Sequence, residues 1–160
     1  MTKSLFYPLC VEVRMLELHQ GPLHVETILN RWYNAYRDQN CGAFVTFVGI
    51  VRDEDGIEGL SFDVYEPILK SWFDAWQEKA KERDAHLVMA HSIGDVPNHT
   101  SSYISGVVSP KRRAGLELLD AFVEDFKAKA PIWKYDLIKG ARVYAKERST
   151  ALPGAGLLKA

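Results

Sequence analysis

The sequence has little cysteine and nothing that organises it. Cys10 and Cys41 are the two cysteines in 160 residues, with no CxxC and no paired spacing, so neither a disulfide framework nor a zinc site is expected and both thiols should be reduced. Long hydrophobic runs are also missing: no uncharged stretch approaches the roughly 18 residues that a spanning helix needs. The opening residues Met1 to Pro8 hold too short an apolar run for a signal peptide, which leads to the expectation of a cytoplasmic protein with no membrane contact. An excess of one charge is absent as well. Lys and Arg number 20 against 21 Asp and Glu, a net charge of −1, which argues against a nucleic-acid-coating protein and requires any anion site to be a local cluster of cations. The five histidines, His19, His24, His86, His91 and His99, do not fall at a metal-ligand spacing with a supporting carboxylate on one element, so no metal is expected. GxSxG, GxxxxGK(S/T) and GxGxxG motifs are lacking too. Hydrolase, nucleotide triphosphatase and dinucleotide readings therefore lose their motifs, and no cofactor is expected.

What remains is a hydrophobic content of 47% with 26% charged residues, enough for one domain that buries a core without metal or disulfide staples. That domain is expected over residues 1–150, with Pro153-Gly154-Ala155-Gly156 making 151–160 a loosely held tail. Alternation over Cys10 to Met15 predicts a half-buried first strand, closed by the turn at Gln20-Gly21-Pro22. A helix follows from Val25, its buried face formed by Val25, Ile28, Leu29, Trp32 and Tyr36. The nearly continuous apolar run Ala43 to Val51 predicts a central strand covered on both faces. Residues 52–58 read as an exposed loop before alternation resumes from Leu60 to Tyr65.

Pro67 suits the first turn of a second helix with Ile68, Leu69, Trp72, Phe73 and Trp76 inward. Strands are predicted over His86 to Ile93 and Tyr103 to Ser109, separated by a turn-rich link from Gly94 to Thr100. Ser109-Pro110 reads as the cap and first residue of a third helix, with Leu116, Leu119, Phe122, Val123 and Phe126 on its apolar face and Pro131 beyond its end. Short strands are expected over Ile132 to Ile138 and Arg142 to Ala145. Strands joined by short turns among about three helices favour an α+β fold with a mixed, largely antiparallel sheet over a doubly wound one.

Three groups of cations could carry chemistry. Lys127, Lys129 and Lys134 flank the helix break at Ala130-Pro131. They read either as ordinary complements to a helix C-terminus or as a site assembled when the chain reverses and returns Lys134 beside Lys127. Lys111-Arg112-Arg113 opens the third helix, where the dipole favours anions, so three cations there suit an anionic ligand or are a mildly unfavourable solvated run. Arg112 and Lys127 are separated by about 22 Å along one helix, at 1.5 Å per residue. One ligand that meets both requires two subunits. Arg52 stands at the end of the apolar run, at the hinge of the loop.

These residues resemble a known family. Gly42 to Arg52 is similar to the strand-to-arginine signature of the catalytic (large) subunits of molybdopterin synthase, the MoaE family. Phe126-Lys127-Ala128-Lys129-Ala130-Pro131-Ile132-Trp133-Lys134 resembles its two-lysine motif, and His91-Ser92-Ile93-Gly94 its His-Arg-Ile-Gly segment. The likeness runs over residues 42–136. It implies an α/β hammerhead fold and a homodimer, within a heterotetramer, that binds a small ubiquitin-like sulfur carrier ending in a Gly-Gly thiocarboxylate. The implied substrate is a cyclic pyranopterin monophosphate, which receives two sulfurs to become the dithiolene of molybdopterin. By position, Lys127 and Lys134 would be catalytic. Arg52, Lys111, Arg112, Phe47 and Tyr135 would bind substrate.

The sequence departs from the family where Lys111 stands in place of a usual histidine, which puts a histidine-dependent proton step in doubt. Ile50 and Tyr135 replace residues that are often basic, and the turn at Pro97-Asn98-His99-Thr100 also differs. The competing readings are a noncatalytic module that holds a phosphorylated ligand or a protein tail, and an inactive paralogue.

Overall fold

A computed structural model describes residues 15–145. In chain order the elements are β1 (Leu16–Gln20), α1 (Val25–Tyr36), β2 (Ala43–Ile50), β3 (Gly59–Val64), α2 (Glu66–Lys81), β4 (His86–Pro97), β5 (Ser101–Ser109), α3 (Arg112–Lys129), β6 (Ile132–Ile138) and β7 (Ala141–Tyr144). The seven strands form a sheet in the order β2-β5-β4-β3-β6-β7, with β1 added alongside β4. The β1–β4 pairing is parallel and the others are antiparallel. Over the described residues the fold is thus α+β with a mixed, largely antiparallel sheet and three helices.

Side-chain alternation on β4 and β5 decides which helix covers which face. Val88, Ala90, Ile104 and Val108 pack with Ile28, Trp32 and Tyr36 of α1. Leu87, Met89, Tyr103 and Val107 pack on the other side with Leu69, Phe73 and Trp76 of α2 and Leu119 and Phe122 of α3. Burying a side chain such as Phe122 or Leu69 contributes about 1.5–3 kcal/mol each. α2 and α3 are also joined by polar contacts: the Trp72 and Trp76 indoles both donate to Asp125 Oδ2, at 2.9 and 2.8 Å. Burial of Asp125 works against its ionisation, but these two bonds and Lys129 outweigh it and hold the carboxyl below its usual range.

Several sequence expectations need correction. The strand expected at Cys10 to Met15 lies outside the described residues except for Met15, and β1 begins at Leu16. β1 is tied to α1 through its buried Glu17, which accepts two bonds from Arg31. β2 has its expected span but sits at the edge of the sheet, with Thr46, Phe47 and Ile50 exposed. An apolar run alone cannot separate a central strand from an edge strand whose apolar residues line a cavity.

The fully buried strand is the serine-rich β5. β4 runs on to Pro97, through the expected link, because Gly94 adopts φ +79° where the strand leaves β5 and β1 and begins to pair with β3. α3 begins at Arg112 rather than Pro110: Ser109 Oγ donates to Lys111 O at 2.8 Å, and no side chain caps the helix. Ile68 and Leu116 are exposed, while Leu118 is buried.

Candidate active site

Lys127 lies in the last turn of α3, and the route onward from there brings Lys134 to it. Ala130, at the helix C-cap, takes an extended conformation (ψ 137°) while its N–H still donates to Phe126 O. Pro131 forbids another turn of helix, and its carbonyl accepts from Tyr65 N at the end of β3. The chain enters β6 at once. Antiparallel pairing then sets Lys134 opposite Phe62, and alternation sends Ile132 and Lys134 to one face of β6.

That face closes a cavity of about 630 Å³ between the end of α3, the edge of β2 and strands β3 to β6. Arg52, Phe47, Lys127 and Lys134 all line it, so four of the seven residues singled out in the sequence converge there. Among the described residues its lining contains three cations and no carboxylate. The chemistry of such a lining favours an anionic ligand of small-molecule size.

The cations differ in their surroundings. Arg52 is exposed and reaches Glu54 Oε1 at 3.2 Å across the loop, a surface pair that a stronger anion can displace. Lys129 is committed to Asp125 at 3.1 Å, whereas Lys127, two residues earlier, is exposed at the cavity and has no ion-pair partner among the described residues. Lys134 is half-buried in β6.

Three of the seven residues lie elsewhere. Lys111 and Arg112 sit exposed at the opposite end of α3 from Lys127, with no ion pair among the described residues and no acidic residue in the first turn. One unbroken helix holds Arg112 and Lys127 about 22 Å apart. Tyr135 projects from the other face of β6, beside Asp63, and the Arg142 guanidinium lies 4.0 Å from its ring centroid. Burial and the Asp63 carboxylate push its phenol up. Tyr135 does not line the cavity.

The cavity wall also includes residues to which the sequence reading gave no role. His91 is 3% exposed and its ring packs edge-on to Phe62, with centroids 4.9 Å apart, and against Phe126 at 5.6 Å. Burial pulls its pKa down to about 4 despite the bond from Nδ1 to Ser92 O. Tyr103 stacks on Phe126 at 4.5 Å, and burial pushes its phenol far up. The Ser105 hydroxyl stands near Tyr103 but outside good hydrogen-bonding geometry. The one available sequence cue was His91's place in the His-Ser-Ile-Gly segment.

A larger hollow of about 850 Å³ lies between β1, α1 and α2 and contains none of the seven residues. Its cations Arg31 and Lys70 are already paired, with Glu17 and Asp74.

The family model for MoaE protein matches residues 18–129. The chain belongs to the MoaE family. A molybdopterin synthase catalytic subunit of Helicobacter pylori is 51% identical to it over 144 residues, covering 90% of this chain and 99% of the relative. A second Helicobacter pylori strain has a catalytic subunit 42% identical over the same length. Among solved structures, a complex of subunits 1 and 2 of the Helicobacter pylori molybdopterin-converting factor matches with TM-score 0.85 and 50% identity, covering 91% of this chain and 99% of that one. Staphylococcus aureus molybdopterin synthase shares the fold, with TM-score 0.70 at 21% identity over 82% of this chain and 97% of that one. The MoaE model spans α1 to α3 and stops at Lys129, so it includes Arg52 and Lys127 and leaves out Lys134.

Proposed function

We propose that this MoaE protein is the catalytic subunit of a molybdopterin synthase. It takes sulfur twice in succession from the thiocarboxylated Gly-Gly terminus of a small ubiquitin-like carrier and transfers it to a cyclic pyranopterin monophosphate, giving the molybdopterin dithiolene. The observation that carries this reading is the convergence of Arg52, Lys127 and Lys134 on one cavity, in a chain 51% identical to a molybdopterin synthase catalytic subunit.

Both partners in this chemistry are anions. Lys127, without a competing carboxylate, meets the thiocarboxylate terminus and moves a proton as sulfur attacks. Lys134 and Arg52 hold the phosphate and the charge that develops when the cyclic ester opens. Phe47, 42% exposed on the edge strand, forms the outer wall. Lys111 and Arg112 reach substrate only from a second copy, so the working unit is a homodimer, and with one carrier per pocket it is a heterotetramer. No helix among the described residues is long and apolar enough to cross a membrane, in keeping with a cytoplasmic enzyme.

The test is to incubate the protein with the thiocarboxylated carrier and the cyclic pterin, oxidise, and measure the fluorescent derivative of molybdopterin. Product above a carrier-only control supports sulfur transfer. Tight binding of both partners without product would mark a noncatalytic module.

A further inference from the structure

His91 has no task in the reaction so far described, although it belongs to the cavity wall. It is 3% exposed and is ringed by Phe62, Tyr103 and Phe126. Its Nδ1 lies 2.7 Å from Ser92 O. A carbonyl can only accept, so Nδ1 must carry the proton, and the neutral ring is left with a lone pair on Nε2. Nε2 has no hydrogen-bond partner among the described residues. The histidine therefore differs from the three cations at this site: Arg52, Lys127 and Lys134 can donate but cannot accept when charged, whereas the Ser102 and Tyr103 hydroxyls of the same wall can do either.

A heterocycle held only by cations would be recognised through its phosphate alone. Its ring N–H groups would lose water on entering an aromatic wall and need acceptors there, since a donor left unpaired carries the cost typical of buried polar groups. We propose that His91 is a specificity-determining residue of the pocket, its Nε2 accepting a hydrogen bond from a ring N–H of the bound pterin. The inference rests on the assignment of a pterin substrate made above. It gives the imidazole a task within its own subunit, separate from the position where Lys111 stands.

Two substitutions separate this role from a structural one. His91→Asn keeps a donor near Nδ1 for Ser92 O but removes the acceptor at Nε2. His91→Gln does the reverse. The proposal expects His91→Asn to raise KM for the cyclic pterin on the order of tenfold, the size of one net hydrogen bond. Affinity for the carrier should stay unchanged, and His91→Gln should lie within about threefold of wild type. A structural anchor predicts the opposite ranking.

The proposal is overturned if His91→Asn matches wild type, if His91→Gln is the more damaged variant, or if carrier affinity falls in step with KM. Should either variant fail to fold, the histidine ¹⁵N spectrum of the wild-type protein decides. Saturation with cyclic pterin, without carrier, must shift the Nε2 resonance of His91 in the direction of an accepted hydrogen bond. An unmoved resonance overturns the assignment. Failure here leaves sulfur transfer intact, since product formation by the wild-type protein is measured separately.

Discussion

Lys127 and Lys129 are both basic, both exposed, and both in the last turn of α3, yet they touch different things. Lys129 reaches Asp125, and Lys127 reaches the cavity. Lys127→Ala should lower kcat on the order of 10²–10³-fold, as expected for loss of a positioned proton-transfer group, with little change in the unfolding midpoint. Lys129→Ala should keep near-normal turnover and lose no more than about 1 kcal/mol of stability, since its side chain is 70% exposed and Asp125 keeps its two indole bonds. Single-turnover assays beside denaturant titrations check both.

The lysine pair was legible because a helix end, a proline and the next strand lie within nine residues of one another. His91 was not. Its burial comes from Phe62, Tyr103 and Phe126 on three other elements, and no local pattern encodes that meeting.

His91 also makes a prediction about pH. Its pKa in the folded protein, about 4, lies below the ordinary histidine value near 6.5 in the unfolded chain. The unfolded state therefore binds more protons between these values, so the stability held above pH 6.5 is lost as pH falls toward 4. Between pH 7 and pH 5 the loss should be about 2 kcal/mol, and His91→Gln should remove that part of the pH dependence. Urea unfolding at the two pH values measures it. A wild-type change no larger than that of His91→Gln would contradict the buried neutral imidazole.

Among elements, α3 is the one that positions the site, and Gly115 seats it on the sheet. A Cβ at Gly115 would come within 2.9 Å of Ser109 Oγ and 3.1 Å of Val45 Cγ2. Gly115→Ala would gain about 1 kcal/mol of helix propensity, but overpacking costs about 1–3 kcal/mol and loosens the Ser109 bond to Lys111 O. The expected net effect is destabilisation of about 1 kcal/mol, read from the denaturation midpoint.

Element existence was mostly legible from periodicity: α1, β2, β3, α2, β6 and β7 appear near their expected positions. Element environment was not. The apolar Ala43–Ile50 lies at the edge and the serine-rich Ser101–Ser109 at the centre, because β5 hides small hydroxyls between two helical layers while β2 turns Phe47 toward the cavity. Ser-Pro at 109–110 mimics a helix cap in sequence, whereas Ser109 here ends a strand and α3 starts at Arg112.

At the scale of the whole molecule, the decisive fact is that α3 carries cations at both ends and delivers only one end to its own cavity. Arg112 and Lys127, about 22 Å apart on a rigid helix, cannot serve one small ligand within a single chain. That constraint was visible in the residue spacing alone, and the unbroken helix preserves it. It makes the proposed active site a property of two copies, with the pocket built by one and completed by the other. The most direct measurement is to co-express Lys127→Ala and Arg112→Ala chains, each inactive by itself, and assay molybdopterin formation with the thiocarboxylated carrier. Random pairing puts both intact residues in one pocket of each mixed dimer, so about a quarter of wild-type activity should return. No recovery above the separate variants, with mixed dimers demonstrated, would contradict the shared pocket.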